Sequence, residues 1–257
     1  MPLLPGAEPF VLDGSDPDAA TESVGVVLCH GFTGTPSSLR PWGEHLAGAG
    51  IAVRAPLLPG HGTRWQDMNA TRWEDWYAEL ERAFDAMRAQ VPTVFLMGLS
   101  MGGTLCLRLA EQRGSQVAGL VLVNPSLATE RKDAKLLALV SKLVPSIPGV
   151  GSDIKKPGVT EQAYERSPLR AAYSLAQLWK LTSADLGKLT QPILLYRSRT
   201  DHVVEPLSGR LLIDGASATE VHEVVLEDSY HVATLDNDAP TIFAGSVDFV
   251  RAHAGVS

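Results

Sequence analysis

Three clusters in this 257-residue chain have the residue types and spacing for nucleophilic chemistry. The first is Gly98-Leu99-Ser100-Met101-Gly102, with Gly103 following. A serine hydroxyl is a weak nucleophile at neutral pH and needs an adjacent base. The G-x-S-x-G spacing lifts that hydroxyl clear on a sharp strand-to-helix turn, and glycine on either side tolerates the close backbone approach such a turn demands. The second cluster is Ser229-Tyr230-His231-Val232. Of seven histidines, His30, His45 and His61 precede Ser100, His202 and His222 do not follow the last expected strand, and His253 falls in the terminal helix. His231 lies on a loop just past that strand, where the order serine, acid, histidine places a general base. The third is Arg199-Thr200-Asp201-His202-Val203-Val204, just beyond the preceding strand and 30 residues before His231. Asp201 is the candidate acid that orients the imidazole. Glu205 is its nearest rival, while Asp228 and Asp236 lie too close to His231 in sequence.

Acyl transfer by such a set also needs donors for a tetrahedral oxyanion. The backbone N–H of Met101, directly after the serine, is one candidate. Phe32, in the small-residue loop His30-Gly31-Phe32-Thr33-Gly34, is the other. His30 reads as a brace for that loop rather than a proton carrier, and His61 as a turn feature. The expected sequence is attack by Ser100, proton transfer through His231, and hydrolysis of the acyl-enzyme by water. It calls for no metal and no cofactor.

These residues need elements to hold them. Short apolar runs at 24–29, 51–55, 93–97, 120–123, 193–197 and 221–226 read as strands. They alternate with helical periodicity at 38–49, 71–89, 101–112 and 240–253. In 71–89 the helical face is Trp73, Trp76, Tyr77, Leu80, Phe84 and Met87, a core stripe. Alternation of this kind implies an α/β fold: a mostly parallel central sheet with helices on both faces, in a single domain spanning 1–257. The rhythm breaks between Asn124 and Leu189, where no convincing strand occurs. That stretch reads as a small lid inserted at about 125–188, over the strand ends where open α/β sheets bind ligands. Its apolar residues Leu136, Leu137, Leu139, Val140, Leu143 and Val144 serve an acyl channel, the packing of the lid onto the body, or both.

Composition narrows the classes further. Apolar residues make up 45% and charged residues 20%, which suits a globular chain with a real core. A net charge of −7 argues against nucleic acid, and against an anionic membrane held through a basic surface. Cys29 and Cys106 show no staple pattern and read as reduced core thiols. The N-terminal residues lack a secretory pattern, and no apolar run approaches the roughly 20 residues needed to cross a bilayer. A cytoplasmic enzyme is the expectation.

The motif blocks together resemble the bacterial monoacylglycerol lipase and small carboxylesterase family of α/β-hydrolases. The blocks are His30-Gly31-Phe32-Thr33-Gly34-Thr35-Pro36, Gly60-His61-Gly62-Thr63, Gly98 to Thr104, Asp201-His202-Val203-Val204 and Ser229 to Asp236. The resemblance runs from about Val24 to the C-terminus and is loosest in the lid. It implies a monomer or weak homo-oligomer acting on monoacylglycerols and other short- or medium-chain esters, with transient contact between lid and lipid surface. It also implies that a lid glutamate holds the glycerol head group. Matched residue by residue, that glutamate falls on Glu161, with Glu165 as local competitor, and the ligand-sensing apolar lid residue falls on Val150, where the family often has isoleucine. Rival readings are a general carboxylesterase and a thioesterase, for which Lys155, Lys156 and Arg131 are thin carrier-binding evidence. A carbon–carbon bond hydrolase and a non-catalytic receptor on a hydrolase scaffold are more remote.

Overall fold

The computed structural model describes residues 2–14, 24–131 and 136–255. In chain order the strands are Phe10–Leu12 (β1), Val24–Cys29 (β2), Ala52–Ala55 (β3), Thr93–Leu99 (β4), Leu120–Val123 (β5), Ser146–Pro148 (β6), Arg166–Pro168 (β7), Ile193–Ser198 (β8) and Val221–Leu226 (β9). The helices are Arg40–Gly48 (α1), Trp65–Met68 (α2), Trp73–Arg88 (α3), Met101–Arg113 (α4), Leu137–Leu143 (α5), Leu169–Asp185 (α6), Leu207–Gly215 (α7) and Ala239–His253 (α8).

The main sheet has the lateral order β1-β3-β2-β4-β5-β8-β9. β1 runs antiparallel to β3, and every other neighbouring pair in this sheet is parallel. The chain runs from β2 outward to β3, then returns to β4 on the other side of β2. That reversal opens a crevice at the carboxyl ends of β2 and β4, where sheets of this kind place ligands. Register aligns the ends: Cys29 pairs with Gly98, Leu99 with Val123, and Ser198 with Leu226. All the loops that carry chemistry therefore leave one edge of the sheet.

Both faces of the sheet are covered, which is why the strands are apolar almost throughout. One face packs against α3, α4 and α6 through residues such as Leu80, Phe84, Leu105, Leu109, Leu175 and Leu178. The other packs against α1 and α8 through Trp42, Leu46, Ile242 and Val250. Each such fully buried side chain contributes roughly 1.5–3 kcal/mol. The two buried indoles are also satisfied: Trp42 Nε1 donates to Ser246 Oγ at 3.1 Å, and Trp76 Nε1 to the Pro59 carbonyl at 3.1 Å. Cys29 and Cys106 are buried free thiols.

One strand lies outside the expected runs, and one expectation needs correction. The region before Val24 supplies the edge strand β1. Strand pairing also occurs between Asn124 and Leu189, because β6 and β7 form an antiparallel pair of three residues each. The expected insertion at 125–188 divides in two, with residues 132–135 outside the described residues. Its last part, α6, buries Leu169, Ala171, Leu175 and Leu178 in the body. The part that covers the strand ends runs from α5 through β7 and is here termed the cover. Among the described residues no helix is long and apolar enough to cross a membrane.

Candidate active site

β4 ends at Leu99 and α4 begins at Met101, so a single residue makes the turn between them. Ser100 takes φ 55° and ψ −120°, a backbone region that costs an L-residue about 1–3 kcal/mol. Its N–H donates to the Val123 carbonyl at 3.0 Å, and its own carbonyl accepts the Ser126 N–H at 3.3 Å. The flanking glycines leave no alternative. A Cβ on Gly98 would stand 2.5 Å from the Gly102 carbonyl carbon and the Gly103 nitrogen, and one on Gly102 would collide with the Cys29 carbonyl oxygen. The His30–Gly34 loop passes alongside: a Cβ on Gly31 would lie 3.4 Å from the Ser100 Cβ. Phe32 lines the same cavity as Ser100, and Met101 is fully buried at the first turn of α4. Among the described residues no acceptor takes up the N–H of either.

His30 is enclosed behind this loop. Its Nδ1 bonds the Gly31 carbonyl at 3.0 Å, and its Nε2 accepts the Leu58 N–H at 3.1 Å. That fixes one neutral tautomer. Burial holds the ring at a pKa of about 4. The neighbouring His61, 4.9 Å away centroid to centroid, is held neutral by burial as well. His30 braces the loop, while His61 bonds within its own turn, Nδ1 to the Pro59 carbonyl at 3.2 Å.

His231 and Asp201 meet on the opposite side of the crevice, with His231 Nδ1 2.8 Å from Asp201 Oδ2. The second oxygen, Oδ1, accepts the N–H groups of Val203 and Val204 at 2.8 Å each. Burial opposes both charges. On His231 it is outweighed by the charge and hydrogen bond of Asp201, aided by Glu161 and Asp153, so the imidazole pKa is raised. On Asp201 it is outweighed by the imidazolium and the two N–H groups, so the carboxyl pKa is lowered. Ser100 and His231 share the cavity wall without a direct hydrogen bond among the described residues. Catalytic contacts in ligand-free sites are often long and tighten on binding.

Two residues not expected in this role hold the His231 loop. Asn124, at φ 45° just past β5, donates from Nδ2 to the His231 carbonyl at 2.8 Å and to Ser198 Oγ at 3.0 Å, while its Oδ1 accepts the Ser198 N–H at 2.7 Å. Asp236 accepts the N–H groups of Tyr230 and Asn237. In the sequence Asn124 stands only at the boundary where the strand rhythm breaks.

The cavity over Ser100 has a volume of about 100 Å³ and is roofed by the cover, with Val150, Glu161 and Tyr164 in its wall. Glu161 is withdrawn against the Gly31–Gly34 loop, so close that a Cβ on Gly34 would sit 2.8 Å from its Oε1. Burial pushes its carboxyl up to about 7, with the His231 charge in opposition. Glu165 is exposed and does not line the cavity, and its backbone carbonyl accepts the Gly149 N–H at 2.8 Å. Tyr164 pins the cover to the Gly60–Thr63 turn by donating to the Gly60 carbonyl at 2.7 Å and accepting the Thr63 N–H at 3.0 Å. The apolar run 136–144 does not line this cavity: Leu139 is 61% and Leu143 80% exposed.

A serine on a one-residue turn at a topological switch point, with an Asp–His pair on the next loops, defines an α/β-hydrolase. More narrowly, the chain belongs to the Hydrolase_4 family, the serine aminopeptidase S33 group, whose model matches residues 21–238. It is 41% identical over 254 residues to the thermostable monoacylglycerol lipase of Bacillus sp. strain H-257, covering 99% of this chain and 98% of that protein. It is 28% identical over 244 residues to human monoglyceride lipase, covering 82% and 80%. Among solved structures it superposes with TM-score 0.92 and 39% identity on a chain from work on LipS and LipT, two metagenome-derived lipolytic enzymes, covering 98% of this chain and all of that one.

Proposed function

We propose that this hydrolase cleaves monoacylglycerols to fatty acid and glycerol, with Ser100 as nucleophile, His231 as general base and Asp201 as its orienting acid. The observation that carries the reading is the shared wall of Ser100, His231 and Glu161 around one small cavity. The ester carbonyl oxygen sits between the N–H groups of Phe32 and Met101. Ser100 attacks while His231 takes its proton, and Asp201 stabilises the imidazolium. The glycerol oxygen leaves with that proton, and water repeats the cycle on the acyl-enzyme. Each oxyanion donor supplies roughly 3–4 kcal/mol of transition-state stabilisation.

Glu161 suits the alcohol side. With a pKa near 7 its carboxyl both donates and accepts hydrogen bonds at neutral pH, and a glycerol hydroxyl needs one of each. Val150 closes the same wall. At about 100 Å³ the cavity is smaller than the roughly 300–1,000 Å³ of ordinary small-molecule sites, so a whole acyl chain would be enclosed only if the cover shifted. The exposed leucines of α5 give that cover a lipid-facing side. The thioesterase reading loses ground because Lys155, one of its carrier-binding candidates, is paired with Asp228 at 2.6 Å.

The test is a paired assay of wild type and Ser100→Ala on a medium-chain monoacylglycerol and an aryl ester of equal chain length. The variant should lose about six orders of magnitude in kcat on both, and wild type should prefer the monoacylglycerol. Preference for the aryl ester would make this a general carboxylesterase. Near-normal turnover by Ser100→Ala would remove the catalytic assignment.

A further inference from the structure

The cover is tied into the base. Asp153, from the segment after Val150, has a carboxylate only 10% exposed. Its Oδ2 accepts the backbone N–H of His231 at 3.1 Å and that of His202 at 3.1 Å. Its Oδ1 lies 2.8 Å from His202 Nδ1, and its own carbonyl accepts the Val232 N–H at 3.1 Å. The contact continues along the segment. Lys155 and Lys156 donate their N–H groups to the two oxygens of Asp236 at 2.7 and 2.9 Å, and Lys155 Nζ pairs with Asp228.

His202 adjoins Asp201, and Val232 adjoins His231. One side chain of the cover therefore bridges the loop that carries the acid and the loop that carries the base. Without it, Asp201 and His231 are joined directly by a single side-chain hydrogen bond, and a slip of about 1 Å in such a contact can cost 100-fold in rate. We infer that Asp153 is a positioning residue for His231, so that the Ser100–His231–Asp201 set is complete only with this root of the cover docked. The inference rests on the reading of those three residues as the catalytic set. It also places any opening of the cover beyond the root, toward α5, because a swing at Asp153 would break four hydrogen bonds around the base.

Asp153→Asn keeps the side-chain size but removes the charge and replaces one acceptor oxygen with a donor. On a soluble short-chain aryl ester, kcat should fall about 10- to 100-fold with KM little changed. The carboxyl groups facing His231 are Asp201, Glu161 and Asp153, and each, when ionised, favours the protonated imidazole. Loss of the Asp153 charge lowers the His231 pKa, so the acid limb of the kcat/KM profile should move to lower pH. A tie that serves stability alone would leave that limb in place. Asp153→Glu restores the charge and should return the limb toward wild type while kcat stays reduced. His202→Ala removes one contact and should cost less than Asp153→Asn. Wild-type kcat with an unmoved acid limb in Asp153→Asn overturns the inference, as does a loss confined to KM. If Asp153→Asn shows no cooperative melting, Asp153→Glu decides: reduced kcat supports positioning, and wild-type kcat refutes it. Ser100→Ala, measured alongside, fails or holds independently and so separates this inference from the catalytic assignment.

Discussion

The two walls of the cavity are built by different means. On the body side, Ser100, Phe32, Asp201 and His231 each stand within a few residues of a strand end, and at Ser100 and Phe32 backbone approach and glycine leave little slack. On the cover side, position depends on side chains reaching across long sequence gaps: Tyr164 to the Gly60–Thr63 turn, and Gln162 to Thr35 and to the Pro5 carbonyl. The same side leaves Val150 and the leucines of α5 largely exposed. The serine side is thus fixed by backbone, whereas the cover, and the His231 loop it touches through Asp153, are held by side chains. Substitutions on the two walls should differ in kind as well as size.

The largest effect belongs to the body wall, where loss of Ser100 should abolish turnover on every ester. Next is Asn124→Ala. It leaves the His231 carbonyl and the Ser198 N–H without their partner, and buried groups so orphaned cost about 1–3 kcal/mol each. Denaturant unfolding should therefore show a loss of about 2–4 kcal/mol, with kcat reduced on all substrates alike. A stable variant with normal kcat would break the claim that Asn124 holds the His231 loop.

Glu161→Ala sharpens the contrast from the other side. It should impair monoacylglycerol hydrolysis by roughly 10-fold or more, the scale of about 1.5–3 kcal/mol for one hydrogen bond to a charged group. The aryl ester should be nearly unaffected, and equal losses on the two substrates would remove the head-group role. Glu161→Gln adds a pH signature. Because the folded carboxyl has a pKa raised to about 7, the folded state binds more protons than the unfolded state between the ordinary carboxylate range and pH 7. Wild-type stability from this group falls as pH rises through that window and stays reduced above it. The melting temperature of Glu161→Gln relative to wild type should therefore rise between pH 5 and pH 8, and an unchanged difference would show that the carboxyl is not perturbed.

The smallest effect should come from Leu139→Ser with Leu143→Ser. Exposed positions of this kind change stability by no more than about 0.5 kcal/mol, and a soluble ester should be cleaved normally. Hydrolysis of monoacylglycerol presented in vesicles should weaken. Unchanged vesicle activity would mean that the apolar face of α5 has no part in lipid contact.

The body wall was legible because its demands are local. The Gly98–Gly102 spacing states a turn that only glycine permits, and strands buried on both faces read as unbroken apolar runs. β1 was missed because three residues on a sheet edge carry no periodicity, and β6 and β7 because each spans three residues and ends in proline. The positioning roles of Asn124, Asp236 and Tyr164 were not legible for another reason. Each acts through hydrogen bonds to backbone atoms that only the fold brings near, up to 107 residues away for Asn124 and His231.

The lateral order of the sheet also has a consequence for biosynthesis. Ser100 sits in the first half of the chain, and the base arrives only with the loop after β9, the last strand made. α8, still later, closes the far face by locking onto α1 through Trp42 and Ser246. Domains generally fold as units as the chain emerges. On the proposed assignment, Ser100 therefore cannot face the His231 imidazole before β9 and the loop that follows it have been made. Until then the serine hydroxyl would stand without its proposed base, so that loop would act as the arming step.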